Sequence, residues 1–134
     1  MDDNAISYLA LLTSVVSLVI SFVTLYRDRH VITARAVPVQ QNDGSFALHV
    51  SVANGGRRPI AGTYVLIRRR GDPGLFLDFV PNGQNRIDVG ESRSCTITGI
   101  GLPISWSSSE ELRAMNVYVQ DALGKQHEAR WEGK

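Results

Sequence analysis

The chain has 134 residues, a formal net charge of +1 and a single cysteine, which leaves room for one domain beside a short distinct segment and gives a charge balance too even for a nucleic-acid binder. The lone Cys95 excludes an intrachain disulfide and mildly favours a reducing compartment. About a hundred residues follow the compositionally distinct first thirty, enough to bury an ordinary core without metal or disulfide staples.

Residues 1–4 read as a short extracytoplasmic tail, and Ala5–Tyr26 (AISYLALLTSVVSLVISFVTLY) as a transmembrane helix. The segment has no charge, proline or glycine, and as an α-helix it covers roughly 33 Å, enough for a hydrocarbon core of about 30 Å. Asp2, Asp3 and Asn4 sit at the positive dipole end, Arg27 and Arg29 follow the carbonyl end, and Tyr8 and Tyr26 lie near the two interfaces. A cleaved signal peptide would need a basic start, a shorter apolar run and a small-residue cleavage site. The start here is acidic and YRDRHV follows the run. Arg27, Arg29 and Arg35 follow the span and no basic residue precedes it. The positive-inside rule then predicts an inner-membrane, single-pass protein with its N-terminus outside and its C-terminal domain in the cytoplasm.

One face of the span is built differently from the rest. Ser7, Ala10, Ser14, Ser17, Ser21 and Thr24 recur at alternating steps of three and four, so small or hydroxylated residues form one stripe. In lipid, small residues let helix backbones approach and hydroxyls bond across the contact. The stripe predicts self-association or docking on another membrane helix.

A membrane-proximal linker is expected over 27–33, leading into a β domain over 31–134. His30–Gln41 alternates loosely, and Asn42-Asp43-Gly44-Ser45 is a hairpin turn. Phe46–Asn54 is the clearest strand, with Phe46, Leu48, Val50 and Val52 on one face and Ala47, His49, Ser51 and Ala53 on the other. After the turn at Gly55–Pro59, Ile60–Arg70 reads as a third strand, and Gly71–Gly74 as another turn. Leu75–Val80 is a strand, Pro81–Arg86 a loop, and Ile87–Ile100 one strand entered through Val89-Gly90-Glu91. Within Pro103–Arg113, Ser108 precedes Glu111 by three residues, a capping-box arrangement for a short helix. Ala114–Asp121 and Lys125–Glu132 pair across Ala122-Leu123-Gly124. This predicts a mainly β fold of about seven strands, best met by an immunoglobulin-like β-sandwich, with a small β-barrel as the alternative.

The phrases Val52–Ile60 (VANGGRRPI) and Val119–Lys125 (VQDALGK) resemble those of small uncharacterised bacterial proteins that carry an N-terminal anchor and a sandwich domain. The resemblance implies that architecture and a bacterial or phage source; it implies no chemistry.

Catalysis needs a nucleophile, a base or a metal shell. His30, His49 and His127 show no zinc-ligand spacing, and no second cysteine completes a thiolate site. Cys95, two residues before Ile97 on an alternating strand, reads as a buried, inert thiol. Gly55-Gly56 and Gly99-Ile100-Gly101 lack the strand-to-helix setting of a phosphate loop, and Glu110 and Glu111 read as solvated charges of a helix's first turn. No catalytic, cofactor or metal residue is expected. The most unusual local feature is basic: Arg57-Arg58 at one turn and Arg68-Arg69-Arg70 at the next. Their spacing along an extended strand places them roughly 30 Å apart, as two spots that contact anionic lipid or a partner.

These readings predict a membrane-tethered, non-enzymatic interaction or adaptor protein. Its partners are membrane lipid, a second copy or another membrane helix, and a protein bound by the β domain. The alternative is an oligomeric pore-forming effector gated by that domain.

Overall fold

The computed structural model describes residues 3–27, 31–61, 63–79 and 86–133. Helix α1, Asp3–Arg27, runs past the apolar stretch at both ends. The segment has no proline or glycine to break it, and three of its hydroxyls bond back to the helix's own carbonyls. Thr13 donates to the Leu9 carbonyl, Ser14 to that of Ala10 at 2.9 Å and Thr24 to that of Ile20 at 2.8 Å. All its side chains from Asn4 onward are exposed, and it is long and apolar enough to cross a membrane.

The rest of the chain is mainly β. Strands β1 (Ile32–Gln40) and β2 (Phe46–Asn54) form an antiparallel hairpin in unbroken register from Ile32↔Asn54 to Gln40↔Phe46. The turn closes with the Gln41 amide on the Ser45 carbonyl and Gly44 at φ +83°, a conformation that glycine adopts without a Cβ clash. Asp43 accepts from the Ser45 amide and hydroxyl, and these bonds hold its carboxyl below the ordinary value of 3.8. Strand β7 (Ser92–Thr98) pairs with the other side of β2, and the terminal β10 (Arg130–Trp131) runs parallel to β1, giving the order 10-1-2-7. A second four-stranded sheet has the order 5-4-8-9, from β5 (Leu75–Asp78), β4 (Tyr64–Arg68), β8 (Asn116–Gln120) and β9 (Gln126–Glu128). A ribbon of β3 (Ile60–Ala61) and β6 (Arg86–Ile87) completes the strands.

One apolar cluster draws on both large sheets. Ala34, Ala36, Leu48, Val50 and Val52 come from the first, and Val65, Ile67, Val117 and Val119 from the second. Phe79, Ile87, Leu112 and Met115 fill in around them. Helix α2 (Ser109–Arg113) supplies Leu112, and its Ser108 cap accepts the Glu111 amide at 3.2 Å. The Glu111 carboxylate reaches the amide of Ser107 at 2.7 Å, one residue before the expected Ser108 amide. That bond, joined by one from the Ser107 hydroxyl, holds the carboxyl below its ordinary value.

Three sequence expectations change in the folded chain. Ile60–Arg70 is not one strand, because Ile60–Ala61 pairs with β6 whereas Tyr64–Arg68 pairs with β5 and β8. Ile87–Ile100 likewise divides between β6 and β7 around a turn with Gly90 at φ +75° and the Glu91 amide on the Asp88 carbonyl. The described residues form ten strands, several of them only two residues long, and no sheet among them closes, so the barrel alternative falls away. Most of the expected Pro81–Arg86 loop, together with His30, Arg29, Val80 and Asp2, lies outside the described residues.

Candidate functional site

The small-residue stripe lies on α1, with Ser7, Ala10, Ser14, Ser17, Ser21 and Thr24 all exposed. Ser14 and Thr24 spend their hydroxyl hydrogens on the helix's own carbonyls, which makes them tolerable in lipid with or without a partner helix.

The two basic spots are not brought together. Arg57 and Arg58 occupy the turn after β2, whose last residue faces the first residue of β1. The Gly55 amide donates to the Val31 carbonyl at 2.8 Å, so this turn is fixed beside the place where the chain enters the domain from α1. Arg68 ends β4, an interior strand of the second sheet, and Arg69 and Arg70 continue beyond it. Arg69 is near enough to Glu111 to lower its carboxyl further.

The Arg57-Arg58 turn is built on Asn54, which is 1 % exposed. Its amide nitrogen donates to the carbonyls of Arg58 (2.8 Å) and Ile87 (3.1 Å), while its oxygen accepts the Gly56 amide at 3.0 Å. Its own backbone holds the 88–91 turn through the Glu91 carbonyl (3.0 Å) and the Gly90 amide (2.8 Å). One residue therefore positions two loops, one through its side chain and the other through its backbone.

Asp121 plays the corresponding part at the β8–β9 hairpin. One carboxylate oxygen accepts the amides of Leu123 and Lys125, each at 3.0 Å, and the other lies 3.1 Å from His127 Nε2. Burial by itself pushes this carboxyl up. The hydrogen bonds from His127, Lys125 and Leu123 outweigh that and hold it below 3.8. Sequence spacing did not single out this Asp–His pair, because its partners meet only when the hairpin closes. The arrangement caps a turn. Next to it, Pro59, Ile60, Ala61, Asp121, Ala122 and Leu123 line a small cavity of about 200 Å³.

His49 bonds across strands to the Thr96 hydroxyl at 3.1 Å. Cys95 is half-buried against the core, and burial raises its thiol to about 11, so the nucleophilic thiolate is disfavoured near neutral pH. Among the described residues, no three His, Cys, Asp or Glu side chains gather as a metal site would require.

The outer face of the 5-4-8-9 sheet carries an apolar group that strand alternation alone does not reveal. Leu66 points away from the shared core yet is fully buried, flanked in register by Phe76 and Tyr118. The Gly71–Gly74 turn closes over it, and a Cβ on Gly74 (φ +93°) would stand 2.8 Å from a Leu66 methyl. Phe76 (55 % exposed) and Tyr64 (40 % exposed) leave aromatic surface in water around this point. Comparison with protein-family models finds no match, and comparison with curated proteins finds none either.

Proposed function

We propose that the protein is a membrane-tethered, non-enzymatic interaction module. Helix α1 holds it in the inner membrane with the C-terminal domain cytoplasmic, and it associates through the Ser7–Thr24 stripe with a second copy or another membrane helix. The domain is an immunoglobulin-like sandwich of the 10-1-2-7 and 5-4-8-9 sheets, and it offers its surface to a protein partner. The observation that carries this reading is the exposure of α1 from Asn4 to Arg27: a helix so apolar, with every one of these side chains exposed, calls for lipid or another helix around it. The orientation rests on the Arg27, Arg29 and Arg35 asymmetry. The partner surface rests on Tyr64, Phe76 and Tyr118, since aromatic side chains dominate the central anchors of protein interfaces.

The test is detergent cross-linking and size measurement of the intact protein. Replacing Ser14, Ser17 and Ser21 with leucine adds bulk where backbones approach, so association weakens by about 1 kcal/mol or more. The matched Val16, Val19 and Val23 to leucine variant keeps the parental association. Equal association in the two variants overturns the stripe as an interface.

A further inference from the structure

The outer strands of the two sheets are not alike. β5, β9 and β10 are four, three and two residues long, whereas β7 presents seven, Ser92–Thr98. Among the described residues β7 pairs only with β2. An open edge of that length is a template for a further strand, and natural sheets blunt such edges with brevity, proline or charge. From Ser94 to Thr98 β7 has none of these. Its one charge, Arg93, is bound to Glu91 at 3.3 Å.

The register fixes which groups this edge offers. The Asn54 amide donates to the Glu91 carbonyl and the Asn54 carbonyl accepts the Gly90 amide, so the ladder is hydrogen-bonded there and alternates onward. Arg93, Cys95 and Ile97 thus turn their backbone groups to β2, and Ser92, Ser94, Thr96 and Thr98 turn theirs outward. Side chains alternate as well. The four hydroxyl residues are exposed on the outer face, while Arg93, Cys95 and Ile97 are half-buried on the inner one. Ala129 alone separates β9 from β10, which puts those two edges on one side of the domain and β5, with its half-buried Leu77, on the same side as β7. Partly covered apolar groups therefore run along the open side.

We propose that this edge is occupied by β7 of a second copy, antiparallel about a two-fold axis at Cys95. Residues 92–98 are symmetric about that position, so Ser92 meets the copy's Thr98 and Ser94 meets its Thr96. These are the residues whose backbone groups face outward. Four hydrogen-bonded pairs give about eight ladder bonds, within the roughly 5–15 direct bonds of a typical interface. Hydroxyl side chains meet hydroxyl side chains on the outer face, a favourable cross-strand combination. On the inner face Cys95 meets Cys95, and Arg93 lies against the copy's Ile97. The two arginines stand roughly 13 Å apart along the strands, beyond a screening length of about 8–10 Å, so no like charges oppose one another. The pairing goes beyond the proposed helix association and does not need it. Its axis is perpendicular to the shared sheet, so two copies anchored in one membrane lay that sheet along the membrane plane.

The test uses full-length protein in detergent with Ser14, Ser17 and Ser21 replaced by leucine, so that helix association does not bring copies together. Oxidation with copper phenanthroline reads the Cys95 contact as a disulfide-linked dimer. Facing residues of a non-hydrogen-bonded pair have Cα atoms about 4.5 Å apart, within disulfide reach. Ser94→Lys with Thr96→Lys sets lysine opposite lysine twice, whereas Ser94→Lys with Thr96→Glu sets lysine opposite glutamate twice, at exposed positions that leave the core alone. The dimer yield is expected to fall at least about fivefold in the first variant and to match or exceed the parent's in the second. Amide exchange gives an independent reading: the outward amides of Ser94 and Thr96 are slow in the parent and fast in the double-lysine variant. Equal yields from the two variants overturn the proposal. So does a parent that stays monomeric with those amides exchanging freely, the result expected if a strand of another protein occupies the edge. Because the helix stripe is disabled throughout, failure here leaves the reading of α1 standing.

Discussion

Helix α1 and the β domain satisfy the same requirement, that apolar surface leave water, in opposite ways. In the domain, Val50, Val65, Ile67 and Val119 belong to one core drawn from two sheets, and each sheet joins strands distant in sequence. In α1 the side chains from Asn4 onward are exposed, and the hydroxyls of Thr13, Ser14 and Thr24 are satisfied locally, within four residues. The helix is therefore a complete unit in lipid and an impossible one in water, while the domain is the reverse. Damage to one should not propagate to the other.

The severest break in that comparison is Val50→Asp. An unpaired carboxylate in the core costs several kcal/mol against a total of about 5–15, so the domain unfolds. Circular dichroism of the intact protein in detergent should lose its strand signal and keep that of α1. His49→Asp, half-exposed on the other face of β2, should leave both. Loss of the helical signal with Val50→Asp would show that the two regions fold as one.

Next in size is Asn54→Ala, which strands the Arg58 and Ile87 carbonyls and the Gly56 amide and should cost about 3 kcal/mol in urea unfolding. Asn42→Ala, in the exposed hairpin turn, serves as the reference. Equal costs at the two positions would mean that water replaces what Asn54 supplies.

The smallest effect expected is at Asp121. Its folded carboxyl lies below the ordinary 3.8, so the ionised form stabilises the domain, fully above that value and progressively less as the pH falls through the folded one. Asp121→Asn should cost on the order of 1 kcal/mol near neutrality, and the gap from the parent should close as the pH falls below 3.8 and through the folded value. A gap of constant size across that range would show that the carboxylate charge is not what holds the hairpin.

Local sequence carries some of this architecture and is blind to the rest. The β2 bounds and the Gly44 turn are legible because they depend on alternation and on one residue's φ. So is the Ser108 cap, a matter of spacing. The division of Ile60–Arg70 is not legible, since the alternation runs straight through while the hydrogen-bonding partners change, and partners come from distant sequence. Ala129 hides a similar event. The hairpin expected over Lys125–Glu132 holds for Gln126–Glu128, then the chain crosses to pair Arg130 with Arg35 in the other sheet. Of the surfaces, the helix stripe is visible in the sequence. The Asp121–His127 pair and the aromatic surround of Leu66 exist only once the strands are in register.

The strand that receives the chain from α1 is an interior one, bonded to β2 along all nine of its residues and to β10 on its other side. Under the proposed tethering, a pull along the axis of this strand would load its ladder bonds together, in shear. An edge strand tugged from its end at right angles would part bond by bond, like a zip. Under that tethering the domain would be fastened through the direction in which it is strongest, and such a load would strain the whole sheet before it opened any single bond.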